Sequence, residues 1–113
     1  RIVGQGSAVS WSTMTSNASG NSALYLSAAS SNTITRSFID NPAGYGARLA
    51  PNSGYNAISL STISNNSGNP ALYLAGASFN TIAQSYINNQ AGNGGGVLLN
   101  TNSNHNTISL STM

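Results

Sequence analysis

The chain of 113 residues has no cysteine, no lysine and no glutamate, and its single acid is Asp40. Without cysteine there is neither a disulfide framework nor a thiolate metal site, and the redox compartment is left open. With one carboxylate, paired-carboxylate acid/base chemistry is excluded within the chain, including glycoside hydrolysis, which needs two such groups flanking the bond. No enzymatic activity is expected. Charged residues make up only 4% of the chain, far below the usual share of about 25%, so little repulsion opposes self-association. The pI of about 9.4 reflects Arg1, Arg36 and Arg48 against Asp40. Nucleic-acid binding draws on clustered basic residues that release counterions from phosphates. These arginines are scattered, so no nucleic-acid partner is expected.

No apolar run approaches the roughly 18 residues of a membrane span. The chain starts at Arg1 without Met and without a charged-then-apolar leader, and it reads as a segment or subunit of a longer repetitive assembly. His105 is the only histidine. Metal centres need three or four convergent ligands, and His105 is accompanied only by amides and hydroxyls, so it is expected to be a surface turn residue. Gly94-Gly-Gly96 leads into Val97 and not into Asp, unlike the glycine-rich repeats that bind calcium. Neither a metal nor a cofactor is expected.

What the chain does contain is a repeat. Asn56-Ala-Ile-Ser-Leu-Ser-Thr-Ile63 recurs as Asn32-Thr-Ile-Thr-Arg-Ser-Phe-Ile39, Asn80-Thr-Ile-Ala-Gln-Ser-Tyr-Ile87 and Asn106-Thr-Ile-Ser-Leu-Ser-Thr-Met113, with a degenerate first copy from Ser7 to Met14. Starts at 7, 32, 56, 80 and 106 are 25, 24, 24 and 26 residues apart. A fixed period in this range marks a solenoid, whose units bury their apolar faces only by stacking on one another. A Ser-, Asn-, Thr- and Gly-rich composition would suit disorder, but disordered tracts do not return Val or Ile to one register in every copy.

Alternate copies resemble each other more than adjacent ones do. Ser19-Gly-Asn-Ser-Ala-Leu-Tyr-Leu26 returns 48 residues on as Ser67-Gly-Asn-Pro-Ala-Leu-Tyr-Leu74, and Asn41-Pro-Ala-Gly-Tyr-Gly46 returns after the same interval as Asn89-Gln-Ala-Gly-Asn-Gly94. Two coil types, A and B, alternate.

Superposed copies form columns. Val9, Ile34, Ile58, Ile82 and Ile108 make one apolar column, and Met14, Ile39, Ile63, Ile87 and Met113 another. Between them stand Ser12, Ser37, Ser61, Ser85 and Ser111, small hydrogen-bonding residues suited to a bend between two short strands. Leu24 and Leu26, Ala47 and Leu49, Leu72 and Leu74, and Val97 and Leu99 alternate with outward Tyr25, Arg48, Tyr73 and Leu98, the pattern of a half-buried third strand. Asn32, Asn56, Asn80 and Asn106 hold one corner, where stacked amides can bond along the axis as an asparagine ladder.

These columns predict an all-β chain, a parallel β-helix of about 4.6 coils of 24 to 26 residues with three short strands per coil, forming one domain over residues 1–113. The motif Asn-Thr-Ile-x-x-Ser-x-Ile, a Gly- and Asn-containing turn and then Ala-Leu-Tyr-Leu resembles right-handed parallel β-helix repeats of the pectate-lyase-like superfamily, in particular its non-enzymatic NosD-type and surface-protein repeats. The resemblance covers about Ser7 to Met113 and implies a right-handed helix. Enzymatic members resemble one another in carrying several Asp, Lys or Arg residues on one sheet face, a set that this chain does not have.

The expected function is an extracellular or cell-surface structural solenoid that stacks on copies of itself into a filament or stalk. Its terminal copies carry the same apolar columns as the interior, whereas solenoid ends are usually capped by polar units. The alternative is a surface adhesin or polysaccharide-binding module in which an outer stripe of Tyr25, Arg48 and Tyr73 meets glycans, with Phe38 and Tyr86 forming a similar sparse stripe interrupted by Thr13, Thr62 and Thr112. Thr33, Thr81 and Thr107 are interrupted by Ala8 and Ala57, too broken a column for ice binding. Asn17-Ala-Ser19 and Asn65-Asn-Ser67 read as glycosylation tripeptides in equivalent turns.

Overall fold

The structure, a computed structural model, describes residues 1–113. Its fourteen strands wind through three parallel sheets in turn. The first sheet holds β1 (Ile2–Gln5), β4 (Ser22–Ser30), β7 (Tyr45–Leu49), β10 (Leu72–Ala75) and β13 (Val97–Asn100). The second holds β2 (Ala8–Ser10), β5 (Thr33–Thr35), β8 (Ala57–Ser59), β11 (Thr81–Ala83) and β14 (Thr107–Ser109). The third holds β3 (Thr13–Thr15), β6 (Phe38–Asn41), β9 (Thr62–Asn65) and β12 (Tyr86–Asn89), extended by a bridge from Tyr86 to Thr112.

The register follows the apolar columns. Val9, Ile34, Ile58, Ile82 and Ile108 pair in sequence through the second sheet, and Met14, Ile39, Ile63 and Ile87 through the third. Leu24, Ala47, Leu72 and Val97 pair in the first sheet, beside Leu26, Leu49, Leu74 and Leu99. Fifteen buried apolar residues from these columns and their corners form one core. Each fully buried Leu or Ile contributes about 1.5–3 kcal/mol, so three facing columns hold a coil closed without help from charge or disulfides.

The bends between the second and third sheets have a constant design. Trp11, Arg36, Leu60, Gln84 and Leu110 all adopt φ near 50°, a left-handed conformation that costs a non-glycine residue roughly 1–2 kcal/mol. Contacts between coils offset that cost. Arg36 N–H donates to Ser59 O at 3.1 Å and Gln84 N–H to Ser109 O at 3.0 Å. The serine that follows folds its hydroxyl back onto the carbonyl two residues earlier, as in Ser61 to Ser59 O at 2.7 Å. That hydroxyl also accepts the N–H of the serine one coil earlier: Ser37 from Ser12, Ser61 from Ser37, Ser85 from Ser61 and Ser111 from Ser85, at 3.1 to 3.3 Å.

Two features of the fold differ from the sequence reading. Ile2–Gln5 forms the first strand of the first sheet, with Ile2 paired to Leu26 and Gly4 to Ala29 across an irregularity, so the coil stack starts before Ser7. The last turn into the first sheet is also longer than its counterpart: Ile39 and Ala47 are 8 positions apart, Ile87 and Val97 are 10, although both pairs hold the same places in the register. Gly44 and Gly94 are therefore the matched pair, and the apparent 48-residue repeat of this turn slips by two. A Cβ on Gly44 would run into Asn21 O, and one on Gly94 into Asn69 O. Close approach of the neighbouring coil's backbone requires glycine at both places.

Candidate functional site

Several polar and aromatic columns run along the solenoid, and each has its own chemistry. The asparagine ladder is internal. Asn32, Asn56 and Asn80 are buried, and each sends both its backbone N–H and its Nδ2 to one Oδ1 in the next coil: Asn32 to Asn56 at 3.0 and 3.0 Å, Asn56 to Asn80 at 3.0 and 2.9 Å, and Asn80 to Asn106 at 2.9 and 3.1 Å. The second Nδ2 hydrogen reaches back to a corner carbonyl, as in Asn56 to Ala29 O at 2.8 Å and Asn80 to Ser53 O at 3.0 Å. These amides are thus fully engaged within the chain and are not available to a ligand.

A second asparagine column, Asn41, Asn65 and Asn89, pairs in register through the third sheet and ties down the variable turn. Asn65 Nδ2 donates to Gly44 O at 2.8 Å and Asn69 O at 2.7 Å, and Asn89 Nδ2 to Asn69 O at 2.8 Å. The sequence signal for it is an Asn two residues after each apolar Ile39, Ile63 and Ile87. This column also corrects the glycosylation reading. Asn65 is fully buried and hydrogen-bonded, so it offers no acceptor amide in the folded chain. The tripeptide at Asn17 is not equivalent to it, because Thr15 pairs with Asp40 and Asp40 with Ser64, which sets Ser16 and not Asn17 beside Asn41.

The outward column of the first sheet is a stack of alternating cations and aromatic rings. Tyr25, Arg48, Tyr73 and Leu98 pair in register, and Arg1 precedes Ile2, the partner of Leu26, so it extends the column by one coil. The Arg48 guanidinium lies 5.6 Å from the Tyr25 ring centroid, 5.5 Å from Tyr73 and 5.7 Å from Tyr45, while Arg1 lies 5.9 Å from Tyr25. Tyr45, which the repeat pattern does not single out, stacks on Tyr73 at 5.4 Å and 17°. Such contacts are worth about 0.5–1 kcal/mol when exposed and about 2 when desolvated.

Phe38 and Tyr86 do not join that stripe. They lie on the third sheet, each paired to Thr62, so a threonine separates their rings and neither meets the tyrosines of the first sheet. A further aromatic stack occupies the corner before the asparagine ladder. Tyr55 lies over Phe79 at 5.1 Å and 5°, and Phe79 over His105 at 4.8 Å and 12°, all three at positive φ. Its signal is the residue directly before each ladder Asn. Beside it runs a shallow groove of about 310 Å³ floored by Ser53, Gly54 and Ser78. Arg36 lies 5.3 Å from the Trp11 ring in the bend column.

The single carboxylate, Asp40, accepts the Ser64 hydroxyl at 2.6 Å on the third sheet. No three of the His, Cys, Asp and Glu side chains gather where a metal ion could sit, and no helix is long and apolar enough to cross a membrane. With the coil geometry in place, the family is defined: the model of the right-handed β-helix region matches residues 2–112, and the chain belongs to that family. No curated protein and no solved structure matches the chain.

Proposed function

We propose that the chain is a non-catalytic structural solenoid, working outside the cell or at its surface, that adds to further copies end to end. The observation that carries this reading is the match between its two end faces. β1 and β13 are the outer strands of one parallel sheet, and β2 and β14 those of another. A second copy set one coil spacing further, about 4.8 Å, lays β1 over β13 and β2 over β14 with no change of direction.

The register then continues column by column. Ile2 meets Leu99, Val9 meets Ile108 and Ala8 meets Thr107. Ser12 Oγ falls where it accepts Ser111 N–H, as serines do at each internal step. Trp11 and Leu110, both highly exposed, occupy one bend column and come into contact across the junction. Unpaired strand edges are templates for such addition, and the low charge opposes it little.

The test is electron microscopy and sedimentation of the chain beside a variant carrying a Pro- and Lys-bearing cap after Met113. Filaments with an axial spacing of about 4.8 Å from the uncapped chain, and short species with unchanged circular dichroism from the capped one, are expected. If both are equally monomeric, end-to-end addition is wrong. Discrete particles that bind a glycan array would favour the adhesin reading instead.

A further inference from the structure

We propose that Asn93, exposed in the turn between β12 and β13, is a site of self-modification, at which the backbone nitrogen of Gly94 displaces the side-chain amide and a carboxylate takes its place. The site stands independently of end-to-end addition. The Gly94 nitrogen loses its proton to hydroxide and attacks Asn93 Cγ. The N–Cγ bond closes a five-membered imide, the Cγ–Nδ2 bond breaks, and the nitrogen leaves as ammonia after taking a proton from water. Water then opens the ring. Attack at Cγ leaves an aspartate; attack at the main-chain carbonyl leaves an isoaspartate, whose backbone runs through the former side chain and is longer by one methylene. Water is the sole co-reactant, and holding nucleophile and electrophile in adjacent residues supplies the proximity that makes such a step fast.

The chain is rich in asparagine, and the fold sets this one apart. Asn93 alone is followed by glycine, which puts no Cβ beside the attacking nitrogen. Asn41 and Asn69 precede prolines, which have no N–H to lose. After the ladder residues Asn32, Asn56, Asn80 and Asn106, the next N–H is tied to the coil before, as in Thr33 to Ser7 O at 2.8 Å and Thr107 to Asn80 O at 2.9 Å. The N–H of Gly94 and the side chain of Asn93 enter no hydrogen bond within the chain. Their turn is held through Asn89 instead. Its Nδ2 donates to Asn69 O at 2.8 Å and Gly95 O at 3.3 Å, and its Oδ1 accepts from Ala91 N–H at 3.0 Å and Gly92 N–H at 3.3 Å. Both reacting groups are thus left free to turn toward each other.

The fold also tolerates the product. From Ile39 to Ala47 this corner takes 8 positions and from Ile87 to Val97 it takes 10, with the register kept, so an extra main-chain bond falls where spacing is not fixed. Gly94 remains a glycine throughout, and its close approach to Asn69 O is not burdened with a Cβ. The change is one of charge. The chain has a single acid and a formal net charge of +2; conversion adds a second carboxylate and lowers that charge by one, on one edge of the last full coil.

The experiment incubates the folded chain in neutral and mildly alkaline buffer, follows peptide masses by mass spectrometry, and measures the ammonia released. A gain of about 1 Da at Asn93, in separable aspartyl and isoaspartyl forms, is expected. Its rate should rise about tenfold per pH unit, because one proton must leave the attacking nitrogen. Conversion should run at least about tenfold faster than at Asn17 or Asn102, whose following residues carry a Cβ. In urea the rate at Asn93 should rise by less than about tenfold, since the turn is already open in the folded chain. The converted chain should keep its circular dichroism and melt within a few degrees of the parent, and Asn93→Gln, which would need a larger ring, should release little ammonia. No mass gain at Asn93, equal conversion at Asn17 or Asn102, a much larger acceleration in urea, loss of ordered coils on conversion, or undiminished ammonia from Asn93→Gln would each overturn the proposal.

Discussion

Asn56 gives both its backbone N–H and its side-chain Nδ2 to Asn80 Oδ1, at 3.0 and 2.9 Å. One oxygen thus satisfies two donors of the coil before, and the same residue hands two donors to the coil after. Backbone pairing alone fixes the strands; this exchange fixes the corner that precedes them.

Replacing Asn80 with Ala removes that oxygen and leaves the buried Asn56 donors without their acceptor. A loss of about 1–3 kcal/mol is expected, the cost of unsatisfied buried polar groups. Urea unfolding monitored by circular dichroism measures it. A change below about 0.5 kcal/mol, the range of ordinary surface substitutions, would show that the corner is held by backbone pairing alone.

Ile58 and Ser59 are neighbours on β8 with opposite fates. Ile58 is buried between Ile34 and Ile82, whereas Ser59 is half-buried on the outer face, where its hydroxyl donates to Thr35 Oγ1 at 3.2 Å. Ile58→Asp places a carboxylate among aliphatic side chains, an arrangement costing several kcal/mol, and should abolish ordered coils. Ser59→Asp should keep its β-sheet spectrum and melt within a few degrees of the parent. Equal stability of the two variants would overturn the register.

The glycines divide in the same way. Gly44→Ala should destabilise strongly, since its Cβ would collide with the Asn21 carbonyl and lie 2.9 Å from Ala18 O. Gly68→Ala meets nothing within 4 Å and should be neutral or stabilise by up to about 1 kcal/mol through a less flexible unfolded chain. Thermal melts of the pair, alongside the parent, provide the comparison. Similar melting of both variants would mean that the turn at Gly44 opens to admit a side chain.

The parts of the fold that were legible in the sequence are those with invariant spacing. From Ile34 to Ile39, Ile58 to Ile63 and Ile82 to Ile87 the chain always takes five steps through one bend, so sterics leave room for a single pattern and the columns align by inspection. The asparagine and serine ladders stand at fixed offsets from those residues, and the pairing of Tyr25 with Arg48 and Tyr73 follows from the same register. Where spacing varies, the reading weakened. Tyr45 follows a turn whose length changes from coil to coil, so nothing in the repeat places it beside Tyr73. Ile2–Gln5 was hidden by an irregular pairing and by Gly4, which stands against the aliphatic Ala29 of the next coil. His105 and Tyr55 share the position directly before a ladder Asn, which the sequence shows, but their stacking through Phe79 is not legible, because three unlike residues share that left-handed corner.

The turn from the third sheet back to the first takes 10, 8, 9 and 10 positions in successive coils, counted from Met14 to Leu24, Ile39 to Ala47, Ile63 to Leu72 and Ile87 to Val97, and yet the strands after it never lose register. The fold therefore separates metering from content: the bend from the second sheet to the third counts five residues in every coil, while the turn back to the first sheet changes length without cost to the register. Guest loops grafted at that corner, a different one on each coil, would be displayed in a row at the pitch of the solenoid. The scaffold is in this sense a ruler with interchangeable marks along one edge.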